Sequence, residues 1–261
     1  MLGTTPACIK KSMGDTWQWK IVHSIGNSTA YYDMGTTSHT IYTIGNEPLA
    51  PWNNTANNPK NAWKKALDFI VDNASCNNLS ADFAILGSLT NYLFSSHNLI
   101  YDTQSGMSSY ATNQRCAIFY LSSYIDKSFG NVINCYDQAG AICILGRLIG
   151  IGILYHYSEP FGYINPTYLV GIREQCNNPF FDNLLNCMVG YDDVEPDRTF
   201  FGNHAFTSFN GYVFDACAGP QLGFNNIQQY LESTIDQNTE KERNRAGTIY
   251  DITTYQVQDI R

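Results

Sequence analysis

The apolar positions along the chain change period several times, and each change marks an element. Between residues 15 and 45 they alternate: Trp17, Trp19 and Ile21, a Gly26-Asn27-Ser28 turn, Tyr31 and Tyr32, then Ile41 and Tyr42 beside a lone His39. A period of two predicts strands, two or three of them here, with His39 a hydrogen-bonded structural residue. Pro48, Pro51 and Pro59 among many asparagines then make a linker. Helical spacing follows. Ala62, Trp63, Ala66, Leu67 and Ile70 predict a helix over 61–73, and Ala81, Ala84, Ile85, Leu89 and Leu93 a second over 80–94. Residues 95–115 are polar and looped, with a short strand near Leu99, and a further helix is expected over 117–125.

The next stretch, NVINCYDQAGAICILGRLIGIG at 131–152, is a polar turn followed by an apolar run suited only to a buried helix. Asn134 stands where an N-cap belongs, and Ala139, Ile142, Cys143, Leu145, Leu148 and Ile149 keep helical spacing until Gly150 and Gly152 stop it. Cys135 therefore opens the helix. A thiol in that position meets the positive end of the macrodipole and unpaired backbone N–H groups, which favour a thiolate. Cysteine is also a common packing residue, and the chain has eight.

Beyond it, strands are expected at 153–157 and 168–172, a covering loop at 177–186 and an acidic turn at 192–198. Two strands, 205–209 and 212–216, are joined at Asn210-Gly211, a strong hairpin signal. His204 begins the first and Asp215 ends the second, so pairing sets imidazole beside carboxylate. A helix over 225–235, a charged stretch at 238–245 and a last strand over 247–256 complete the chain. Together these predict an α+β fold: the cysteine helix on an antiparallel sheet of 153–157, 168–172, 205–216 and 248–256, with the earlier helices around it.

Composition narrows the partners. Hydrophobic residues make up 44% and charged ones 15%, the balance of a globular chain. A net charge of −8 argues against nucleic acid or an anionic membrane surface. The longest apolar stretch, near 142–154, is broken by Arg147 and glycines, so no membrane span is expected. The opening MLGTTPACIKK has no signal-peptide core. Its abruptness is that expected of a segment excised from a longer exported protein, residues 1–45 closing a β-rich module and 46–261 forming the main domain. No C-x-x-C pair points to zinc, and Asp192, Asp193, Glu195 and Asp197 lack EF-hand spacing, so neither metal nor cofactor is expected. Cys8, Cys76, Cys116, Cys176, Cys187 and Cys217 are available for disulfides in an oxidising setting, with the pairing open.

Cys135, His204 and Asp215 in that order form a thiol-enzyme set. The thiolate attacks an acyl carbon, the imidazole moves the proton, and the carboxylate fixes the ring. The helix-borne NCYDQAGAICILGRLIGI and the hairpin HAFTSFNGYVFDA resemble the two motifs of the transglutaminase-like superfamily of papain-type thiol enzymes, a G-x-C-x-D/E-x-A helix and a histidine–aspartate hairpin. The likeness covers Phe119 to Gly219. Asn134 stands where many members have Gly or Gln, and Tyr136 where Trp is frequent. More loosely, the chain is similar to secreted bacterial proteins carrying such a domain after an immunoglobulin-like module. The resemblance implies a papain-like core and catalytic Cys135, His204 and Asp215, with an oxyanion donor from upstream such as Gln114 or Tyr110. It further implies a protein or peptide substrate and an extracellular or cell-surface setting. The shared chemistry is amide hydrolysis, deamidation or transglutamination through a thioester. The alternative is a non-catalytic surface or adhesion module on the same scaffold.

Overall fold

A computed structural model describes residues 9–54, 63–181, 186–190, 197–237 and 251–261. Asp192, Asp193 and Glu195 of the acidic turn, and the charged stretch 238–245, lie outside them. The fold is α+β, with an antiparallel sheet behind the cysteine helix.

The alternating first segment is two strands forming one long ribbon: β1 (Lys10–Ile25) turns at Gly26-Asn27 into β2 (Ser28–Thr43). Neither face of most of it meets a core, so Trp17, Trp19, Ile21, Val22, Tyr31 and Tyr32 stay exposed. Only the base is fastened. Ile9 exchanges backbone hydrogen bonds with Leu79 and Asn78, and the Lys11 ammonium bonds Asp68 at 2.6 Å and Asp72 at 2.5 Å.

Those aspartates belong to α1 (Lys64–Asp68) and the π-helical turn Phe69–Asn73 that continues it. Its apolar side, with Ala66, Leu67, Phe69 and Ile70, enters the core. Next come α2 (Asp82–Ser95) and the short β3 (Ile100–Tyr101). The helix expected over 117–125 is shorter. Ile118–Phe119 form β4, pairing with a distant strand, and only Leu121–Asp126 wind into α3. β5 (Val132–Ile133) pairs in parallel with β3 and delivers the chain to α4 (Cys135–Leu148).

Every residue of α4 except Tyr136 and Arg147 is buried, the condition of a helix that is apolar nearly all round. It ends at Gly150, whose φ of +85° suits glycine, and where a Cβ would lie 2.4 Å from that of Asn46. The helix is covered by a five-stranded sheet. The strands, in chain order, are β6 (Leu154–Glu159), β9 (His204–Phe209), β10 (Tyr212–Asp215), β11 (Gln221–Asn226) and β12 (Asp251–Tyr255). Their spatial order is β11-β10-β9-β6-β12, and every neighbouring pair is antiparallel.

Two expectations for this sheet are corrected. Residues 168–172 are not a member. Thr167–Tyr168 form β7, paired with β8 (Gln175–Cys176), while Leu169 and Val170 bond to Ala218 and Cys217 as an irregular buried link. The fifth strand is instead β11, which then caps α5 (Ile227–Thr234) through Asn226. The last strand, β13 (Asp259–Ile260), lies beside β4 in parallel. Among the described residues no helix is long and apolar enough to cross a membrane.

Candidate active site

Three local devices build the site. The first is the start of α4. Asn134 Oδ1 accepts the N–H of Tyr136 at 2.9 Å and of Asp137 at 3.3 Å, and Asp137 returns the bond to the Asn134 N–H, a complete capping box. The Cys135 N–H, first in the helix, has no intrahelical carbonyl to bond.

The second device is the β9–β10 hairpin. Asn210 and Gly211 both take positive φ, +50° and +83°, as the tight turn requires. The resulting register sets His204 Nε2 2.9 Å from Asp215 Oδ2, with both side chains buried. Asp215 has further partners. Tyr230 of α5 donates its hydroxyl to the same oxygen at 2.8 Å, and the N–H groups of Cys217 and Ala218 donate to Oδ1 at 2.7 and 3.3 Å. The carboxylate is thereby fixed on both oxygens.

The third is the wall formed by residues 102–114, held by the first turn of the cysteine helix. The buried Asp137 carboxylate accepts N–H groups from Ser109, Tyr110 and Ala111, each at 2.8 Å, besides that of Asn134 at 3.2 Å. Burial pushes Asp137 up, to about 6, against the pull of these four donors. Asn134 Nδ2 holds the Gly106 carbonyl at 2.8 Å, and the Tyr155 hydroxyl holds that of Gln114 at 2.9 Å.

The His204 ring is enclosed by Phe161, Phe201 and Phe206, with centroids 4.7, 5.3 and 6.3 Å away. Its Nε2 is taken by Asp215. Nδ1 is buried and meets no partner at standard hydrogen-bond geometry, and the other group acting on the ring is the Cys135 thiol. Burial opposes a charge on His204, but the Asp215 carboxylate and then Cys135 outweigh it and hold the imidazole up at about 10. The pairing with Asp215 thus favours the charged ring. Since the folded value exceeds the ordinary 6.5, the pair's stabilising contribution is complete below pH 6.5 and is lost as pH rises through about 10. Melting temperature measured from pH 6 to 11 should therefore fall over that window, and fall less in His204→Asn.

Cys135 is 4% exposed and lies in a cleft of about 360 Å³. Gly106, Met107, Thr112, Gln114, Phe180 and Asn203 are among the residues that line it. Gln114 is exposed on the rim of this cleft. Tyr110 is not among the residues lining it. Its ring is buried between Tyr124 and Phe129, and its hydroxyl donates to the Gly130 carbonyl, so it is not placed to meet a ligand. Cys135 and Gln114 thus line the cleft, His204 and Asp215 are buried as a pair and do not line it, and Tyr110 is left out.

Sequence reasoning missed several supporting residues. Tyr230 falls on the buried side of a predicted helix, and only its burial with a polar tip hinted at a partner. Gln138, one turn after Cys135, donates to the carbonyls of Ala216 at 2.9 Å and Leu93 at 3.2 Å, and accepts from the Tyr124 hydroxyl. That ties the cysteine helix directly to the chain just past Asp215. The Tyr136 hydroxyl likewise bonds Asn203, beside His204. His39 lies far off on the ribbon, against Trp17 and Thr37. Among the described residues no cluster of histidine, cysteine and carboxylate side chains fits a metal ion. Set against protein-family models, curated proteins and solved structures, the chain matches none, so the chemistry of the cleft has to be read from its own atoms.

Proposed function

We propose that the cleft belongs to a cysteine-dependent acyl-enzyme acting on amide bonds of a protein or peptide, on a papain-like core of the transglutaminase-like kind. The observation that carries this reading is the division of labour on His204. Asp215 occupies Nε2, which leaves Nδ1, buried with no hydrogen-bond partner, as the nitrogen available to the thiol at the helix start.

In the reaction, Cys135 Sγ adds to the carbonyl carbon and His204, already protonated, gives its proton to the departing nitrogen as the C–N bond breaks. A thioester remains. Water or an amine then adds to the thioester, His204 takes a proton from it, and the C–S bond breaks to restore the thiolate–imidazolium pair. The Cys135 N–H and the Gln114 side-chain amide are the donors for the oxyanion. Asp215, braced by Tyr230 and two N–H groups, keeps the ring in its working orientation throughout. Proteolysis, deamidation and transglutamination share this thioester and differ only in leaving group and acceptor. The setting proposed is extracellular or at the cell surface.

The test is the rate of iodoacetamide labelling at Cys135 against pH, read by mass spectrometry. The native chain should label fast well below the free-thiol pKa of about 8.5, and His204→Ala should lose that rate at mildly acidic pH. Equal, slow labelling of both would favour the second reading, a binding module on an enzyme-like scaffold. That reading has one observation of its own, the exposed Trp17, Trp19, Tyr31 and Tyr32 on the ribbon.

A further inference from the structure

Two cysteines outside the site are placed for each other. Cys176 ends β8 and Cys187 lies eleven positions on, and both are buried. The Cys176 thiol donates to the Asn178 carbonyl at 3.1 Å and the Cys187 thiol to that of Gln175, next to Cys176, at 3.6 Å. Their backbones are laced together. The Asn177 N–H donates to the Cys187 carbonyl at 3.1 Å. Asn177 also pairs its side chain twice with Val189, at 3.0 and 2.9 Å, and Asn178 Nδ2 holds the Asn186 carbonyl at 2.8 Å. Residues 176–178 and 186–189 are therefore a stem, with the sulfurs between its two sides.

We propose that Cys176 and Cys187 are a disulfide pair that staples the base of the loop carrying Phe180 to the rim of the cleft. Phe180 lines the cleft, and its ring lies so near Gly106 that a Cβ there would come within 2.8 Å of it. Phe181 donates its N–H to the Thr103 carbonyl at 3.0 Å. The staple thus secures a wall that touches the Gly106 loop, itself anchored to the helix of Cys135.

The chemistry is exchange with a low-molecular-weight disulfide of the glutathione type. One thiolate attacks it, forming a mixed disulfide and releasing one thiol. The second cysteine then attacks the protein sulfur of that mixed disulfide and releases the other thiol. The two protein thiols are oxidised and one small disulfide is reduced to two thiols, so the balance closes. Burial pushes both cysteine thiols up, so little thiolate is offered once the chain has folded. The bond forms during folding, and afterwards it resists reduction until the stem opens.

The full chain is refolded with reduced and oxidised glutathione, quenched in acid, alkylated under denaturing conditions and digested without reductant. The expected product is a cross-linked peptide pair joining Cys176 to Cys187, absent after reduction. The oxidised chain should melt several degrees above the reduced one, and Cys176→Ala/Cys187→Ala should show no difference between the two conditions. Full alkylation of both cysteines after oxidative refolding, or a bond from either to a third cysteine, would overturn the pairing. The mass readout decides this even if the double variant folds poorly.

Discussion

Asp215→Asn should slow iodoacetamide labelling of Cys135 at pH 6 by on the order of 10²-fold or more, while leaving the chain folded. The substitution is nearly isosteric, and its amide oxygen can still accept the Cys217 and Ala218 N–H groups that now bond Oδ1. The amide nitrogen then faces His204 Nε2 and the Tyr230 hydroxyl, where the carboxylate oxygen had been. The hydroxyl can accept from it. The imidazole can do so only as a neutral ring with its proton on Nδ1, the nitrogen that would serve the thiol. In that tautomer it can neither take the thiol proton nor act as a counter-ion to the thiolate. The fall in melting temperature between pH 6.5 and about 10 should flatten in the same variant, because the ring that Asp215 held up at about 10 has lost its principal anion. An unchanged labelling rate would dispose of the triad, whatever the melting curve did.

The largest stability effect is expected at Asp137. Its carboxylate is fully buried and accepts four backbone N–H groups, three from residues 109–111 and one from the helix cap. Asp137→Ala leaves all four donors without an acceptor in a space that the shorter side chain does not fill. At about 1–3 kcal/mol for each buried donor left unsatisfied, orphaning even two of them costs about 3–5 kcal/mol. That is a large part of the 5–15 kcal/mol that holds a typical domain. The expected result, by calorimetry or denaturant titration, is a melting temperature lowered by roughly 10 °C or a chain that does not fold. Asp137→Asn retains one good acceptor and should fall between. A change of only a few degrees in Asp137→Ala would mean that the 102–114 wall has other support.

The sequence was most informative where the chemistry is local. An N-cap followed by a run of apolar residues specifies the start of the cysteine helix, and Asn-Gly between alternating segments specifies the hairpin. That turn puts His204 and Asp215 on one face of the hairpin, two register positions apart, and the side chains close the gap. What depends on distant parts of the chain was not legible. Nothing near Tyr230 says that its hydroxyl meets Asp215. Asp137 reads as an N3 cap residue, and its three bonds to 109–111 depend on a loop that folds back from 26 or more positions away. Tyr110 looked eligible as an oxyanion donor because its hydroxyl counted, whereas in the structure that hydroxyl is already spent on Gly130.

The misread strands have the same physical origin. Residues 168–172, with Leu169, Val170 and Ile172, carry strand-like side chains, but beyond Tyr168, which pairs with Gln175 of β8, their backbone bonds go to 217–218 and to Tyr101, not to the five-stranded sheet. β11 has no strand pattern, since Gly223 interrupts it and Phe224 is 82% exposed. It becomes a strand because β10 presents an open edge, and it joins with a register shift.

The ribbon also bears on calorimetry. Each of its strands runs 16 residues, paired only with the other, and over most of that length the side chains are already in water. The heat-capacity increment and the denaturant dependence of unfolding both scale with surface newly exposed, to which an already hydrated ribbon adds little. The chain should therefore register, in a calorimeter or a urea titration, as a protein shorter than its 261 residues.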